Sequence, residues 1–230
     1  MADMGAFREA VTGWAAGGSG ESGESARELA ARLPVRAVVL LEGPSDAAAV
    51  DALAERRGRD LEGEGVCVLP MGGAMSVGRF ARLLGPPPGL GLRLTGLCDV
   101  RERDFYARAL EEAAAAAGAA QAQEQAQEQA PGQAPGQGQR FFVCAADLED
   151  ELIRALGVAQ VEELVRAEGD LRALQTFLRQ PAQQGRTARQ QLRRFLGTKK
   201  GRKIRYGRVL VEALEPDRVP APLDGLLTSL

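Results

Sequence analysis

Short continuous apolar runs alternate along this chain with stretches whose apolar residues recur at helical spacing. The first run, Val38-Val39-Leu40-Leu41, delivers Glu42 and Gly43 to its end and precedes an Ala-rich stretch, 45–57, in which Ala49, Val50 and Leu53 share one helical face. The second, Val66-Cys67-Val68-Leu69, leads through Pro70-Met71-Gly72-Gly73 to a helical pattern over 77–84. After the breaker Gly85-Pro86-Pro87-Pro88-Gly89 a third run covers 92–98 and ends on Asp99, with a helix predicted over 102–117. The fourth, Phe141-Phe142-Val143-Cys144, ends at Ala145-Ala146-Asp147-Leu148-Glu149. Apolar runs without polar alternation predict strands buried on both faces, and their alternation with helices predicts βαβ units in a parallel sheet.

The flanks read differently. Phe7, Val11 and Trp14 fall at helical spacing, so a leader helix is expected within residues 1–34, followed by a flexible linker at 17–25 and a short helix capped by Ser25 that stops before Pro34. Residues 113–139 are low-complexity; their Ala/Gln/Glu part can extend the preceding helix, and their Pro-Gly part is expected to be disordered. From Asp147 to about Leu214 the pattern is helical throughout, and residues 216–230, with Pro216, Pro220 and Pro222, are expected to be a loosely packed extension. The division is a leader at 1–34, an α/β domain at 35–156 and a helical basic region at 157–230.

Composition narrows the chemistry. The 230 residues include no histidine, which removes Ser-His-Asp and Cys-His catalysis and His-ligated zinc together. Cys67, Cys98 and Cys144 each lie in an apolar run with no CxxC pair, as buried reduced thiols of a cytoplasmic protein would. Neither a signal peptide nor a membrane span is indicated. The net charge of −2 hides an asymmetry: over 171–211 there are twelve Arg and Lys and no Asp or Glu. A cationic segment on a mildly acidic chain is the footprint of a polyanion partner, nucleic acid above all, although a basic run can also be a solvated helical face.

Acids gather at the strand tips. Glu42 with Asp46, Asp99, and Asp147 with Glu149 follow the first, third and fourth strands, and ligands of parallel sheets sit outside the carboxyl ends of their strands. Brought to one edge, these carboxylates call for a hard divalent cation, Mg2+ or Mn2+. Each acid alone has a plainer reading: Asp99 and Asp147 can be helix caps, and Asp147 to Glu151 an acid-rich first turn.

In their joint order these residues resemble a TOPRIM domain. Glu-Gly at the first tip, Gly72-Gly73 after the second strand, Asp at the third and Asp-Leu-Glu after the fourth are similar to the nucleases of the OLD family, over residues 36–156 and more weakly to about residue 214. The resemblance implies a Rossmann-like parallel sheet with helices on both faces and metal-dependent hydrolysis of nucleic-acid phosphodiesters. It casts Glu42 as general base or metal-adjacent acid, Asp46, Asp99, Asp147 and Glu149 as metal ligands, and Lys203 as the transition-state lysine, with Lys199 and Lys200 as rivals. Arg189, Arg193, Arg194, Lys199, Lys200, Arg202, Lys203 and Arg205 are then expected to bind DNA. Two departures stand out. The family's second acid after the third strand is Arg101 here, leaving Glu102 or Asp104 to substitute. No phosphate loop with a Gly-Lys-Ser/Thr ending is present, so an ATPase partner would act from another chain. A catalytically inactive metal-binding or nucleic-acid-binding module and a regulatory ATPase subunit docking through the helix around Trp14 are the alternatives, and self-association is left open.

Overall fold

The chain is described by a computed structural model over residues 3–18, 20–125 and 140–230. Four strands, β1 (Ala37–Leu41), β2 (Val66–Pro70), β3 (Arg93–Asp99) and β4 (Arg140–Cys144), form one sheet in the order β2-β1-β3-β4, every pair parallel. Ala37 to Leu41 are all buried, as their unbroken apolar run requires of a central strand. Their side chains divide between two layers. Val38 and Leu40 join a core built with α1 (Met4–Ala15), α4 (Val77–Leu84) and α5 (Arg103–Gln125). Ala37, Val39 and Leu41 face α3 (Pro44–Arg56), α6 (Leu148–Leu156), α7 (Val158–Ala167), α8 (Leu171–Leu178), α9 (Ala188–Leu196), α10 (Lys200–Glu212) and α11 (Ala221–Ser229). The α/β architecture expected from the alternation is the one observed.

Two expectations about the flanks change. Residues 20–25 are helical, not linker: α2 spans Gly20–Arg32 and packs on α1. The compensation for its weak Gly/Ser helix propensity is tertiary, since Gly23 lies against the Trp14 indole and the Arg27 guanidinium sits 4.8 Å above that ring. The half-buried Trp14 thereby packs on the chain's own α2. The Pro-rich tail is not loose either. Pro220 and Pro222 bracket the start of α11, where a fixed φ suits a first helical turn, and Leu223, Leu226 and Leu227 are fully buried against the sheet. The Ala/Gln stretch continues α5 to Gln125, and the Pro-Gly part of the low-complexity segment lies outside the described residues.

Candidate metal centre

The strand tips deliver the acids as their positions in sequence imply. Glu42 is the first residue past β1, exposed, and its carbonyl accepts the Gly73 N–H at 2.9 Å. Gly72 and Gly73 take φ values of 75° and 131°, so this turn from β2 toward Glu42 is open only to glycine without strain. Asp46 is the third residue of α3. It is buried, and its Oδ2 accepts the Gly43 N–H at 2.9 Å, closing the helix start. Asp99 ends β3, in register with Cys144 of β4, and the chain then turns through Val100 and Arg101 into α5.

At that turn the missing second acid is recovered. Arg101 points into solvent, but Glu102 curls back, with its N–H on the Asp99 carbonyl at 2.9 Å, and carboxylate oxygens of Glu42, Asp99 and Glu102 lie within 4.8 Å of one another. Of the two substitutes the sequence left open, the fold selects Glu102; Asp104 is exposed. Among the described residues Glu102 Oε2 is buried without a hydrogen-bond partner, and so is the hydroxyl of Tyr106 one helical turn on. A convergent oxygen set with an orphaned carboxylate atom fits a hard divalent cation.

The energetics of the cation-free cluster agree. Burial, then the carboxylates of Asp147, Glu102, Glu42 and Asp46, push the Asp99 carboxyl up to about 7. Burial and the Glu149 carboxylate likewise push Asp46 to about 7, against the opposing pull of Lys203 and the Gly43 amide. Glu102 is raised by burial and by Glu42. Like charges this close cannot all ionise without a compensating cation.

The acids after β4 are already paired with cations of the chain, although burial still holds the Glu149 carboxyl above its ordinary range against the pull of Lys203. Asp147 caps α6, its Oδ1 accepting the Asp150 N–H at 2.8 Å, while its Oδ2 accepts from Arg193 of α9 at 2.5 Å. Glu149, buried, pairs with Lys203 of α10 at 3.1 Å. Burial lowers the Lys203 ammonium, but Glu149, Asp46 and Glu42 outweigh it and hold the proton on. Lys203 is thus the lysine the fold brings to the acids; Lys199 and Lys200 are exposed. Asp147 and Glu149 differ from Glu42, Asp99 and Glu102 in this respect, and the reason is tertiary: α9 and α10 fold back over α6.

The cationic segment is likewise less free than its sequence implies. Arg189 pairs with Asp150 at 3.2 Å, Arg202 with Asp170 at 3.3 Å, and Arg205 with Asp170 and Glu168. With Arg193 and Lys203 taken, Arg194, Lys199 and Lys200 are the assigned DNA-binding residues without an ion pair among the described residues. Arg186, Gln190, Arg193, Arg194 and Lys203 line, together with Asp147 and Glu149, a hollow of about 470 Å³. Arg186 was not among the assigned residues; only the fold of the segment before α9 brings it here.

Comparisons with known proteins agree with this geometry. Residues 35–100 match the family model described as Overcoming lysogenization defect protein-like, TOPRIM domain. No curated protein sequence matches the chain. The C-terminal region of the Burkholderia pseudomallei OLD protein is similar in structure with a TM-score of 0.56 at 19% identity, covering 85% of this chain and 96% of that one. The C-terminal region of the Xanthomonas campestris pv. campestris OLD protein is similar with a TM-score of 0.55 at 24% identity, covering 84% and 93%. The shared fold, covering 84–85% of this chain, extends well beyond the residues of the family match.

Proposed function

We propose, from the premise that this chain carries a TOPRIM domain resembling that of the OLD proteins, that it is a divalent-metal-dependent nuclease acting on DNA. One observation carries the reading: Glu42, Asp99 and Glu102 converge from a strand tip, a strand end and a helix start with no cation in an ion pair with them among the described residues, while Lys203 stands on the adjoining acids. Glu42, Asp99 and Glu102 hold the cation, with Asp46 beside them. A cation bound there supplies Lewis-acid polarisation of a phosphodiester oxygen and neutralises developing charge.

The chain's own groups do the rest. Glu42, exposed at its strand tip, has one carboxylate oxygen to spare for the proton of the attacking water. Lys203 remains protonated at neutral pH and places its ammonium where charge accumulates on the phosphate. Arg186 and Arg194 line the adjoining hollow as contacts for the flanking backbone, where point charges bind any sequence.

The test is supercoiled plasmid incubated with Mg2+, Mn2+ or EDTA beside Glu42→Ala and Asp99→Ala. Nicking or linearisation that needs the metal and is absent in both variants, with plasmid still retarded on a gel by Asp99→Ala, is the expected result. No cleavage in either metal, with retardation intact, overturns the nuclease reading in favour of a binding module.

A further inference from the structure

The two halves of the acidic edge are electrostatically unlike, and the difference is built by the fold. Asp147 has one oxygen on a helix N-terminus and the other on both the Nε and a terminal nitrogen of Arg193, each at 2.5 Å. Arg193 is not shared with the neighbouring acid, because Asp150 is held by Arg154 at 2.8 Å and by Arg189 at 3.2 Å. Its placement is firm. Thr187 and Gln190 cap α9 reciprocally, and Leu192, Phe195 and Leu196 bury the opposite face, so Arg193 is presented toward α6. On this side the positive charges are covalent parts of the chain in direct ion pairs; Glu42, Asp99 and Glu102 have no such pair among the described residues, and Arg193 and Lys203 act on Asp99 and Glu42 only at longer range.

We propose that this chain holds a single divalent cation, at Glu42, Asp99 and Glu102, and that Arg193 fills the place a second would need beside Asp147. Arg193 is then a substrate-positioning residue. Its guanidinium, fixed by Asp147 through one edge, faces with Lys203 the hollow in which a phosphodiester would lie, and presents planar donors to phosphate oxygens. The inference rests on the metal-dependent reading of the site.

Titration calorimetry with Mn2+ on the full chain counts the ions directly, with circular dichroism as the check on folding. The unsubstituted protein binds one ion. Glu102→Gln weakens that ion on the order of 10–100-fold or more, the range that loss of a supporting group already costs. Asp147→Asn keeps the helix cap and, because Asp147 touches the ion only through its charge on Asp99, weakens it far less than Glu102→Gln does. Arg193→Ala, which frees Asp147, binds two. Two ions in the unsubstituted protein, loss of the ion in Asp147→Asn, or a stoichiometry still of one in Arg193→Ala overturns the proposal while the metal-dependent reading stands. No ion bound by the unsubstituted protein overturns both.

Discussion

Asp99 shows what the site costs the empty protein. Its carboxyl is raised from 3.8 to about 7, chiefly by burial and then by Asp147, Glu102, Glu42 and Asp46. A carboxyl raised in the folded state favours folding below its unfolded pKa, and that contribution is lost as pH rises through the folded value. In EDTA the denaturant midpoint should therefore fall between pH 4 and pH 7, and Asp99→Asn should show a shallower fall. Added Mg2+ should stabilise the unsubstituted protein more above pH 7 than at pH 5, by mass action on ionised ligands. A decline equally steep in Asp99→Asn would refute the origin given for it. At the neighbouring position, Arg101→Ala should leave Mn2+ affinity unchanged, because Arg101 is exposed and Glu102 supplies the acid. Lys203→Ala should lower kcat about 10²–10³-fold, the usual cost of a donor to developing negative charge, with little effect on plasmid retardation.

Among the elements, α10 is the one whose seating decides whether Lys203 reaches the acids. It lies along α3, and Gly207, one turn after Lys203, is the point of closest approach: a β-carbon there would come within 2.4 Å of the Ser45 carbonyl oxygen. Backbone at the start of α3 cannot yield as a side-chain tip can. Gly207→Ala should cost about 1–3 kcal/mol in denaturant unfolding and lower cleavage besides, by pushing Lys203 away from Glu149 and Asp46. Unchanged activity in a destabilised Gly207→Ala protein would show that the site tolerates the shift. α11 packs on β3, β4 and α3. Leu226 is fully buried on the sheet, so Leu226→Ala should cost about 2–5 kcal/mol, measured the same way, without altering kcat of the folded fraction.

For the whole molecule the cations of the C-terminal region matter through their partners. The eight residues assigned to DNA would give a salt slope near −7 if all met phosphates, taking about −0.9 per contact. The three of them without ion pairs among the described residues, Arg194, Lys199 and Lys200, together with Arg186 from the same hollow, give about −4 on the same rule. Retardation assays across a salt series should find the shallower value; a slope near −7 would mean the internal pairs open on binding. Among the described residues no helix is long and apolar enough to cross a membrane.

Much of this protein is determined locally. The apolar run Val38 to Leu41, the Gly-Gly turn and the acids at the strand ends are readable because a buried parallel strand must be apolar throughout and must place its C-terminal neighbours at the functional edge. What no local pattern carries is which charges meet. Glu102 rather than Asp104 becomes the third acid through the direction of the first turn of α5, and Trp14 is covered by a helix of poor intrinsic propensity. Asp147 and Arg193 lie 46 residues apart in sequence and pair only once α9 packs on α6. Hydrophobic burial is encoded by period, residue by residue, but a charge finds its partner through the packing of whole elements, so the tertiary structure alone decided which acids are free to hold a cation.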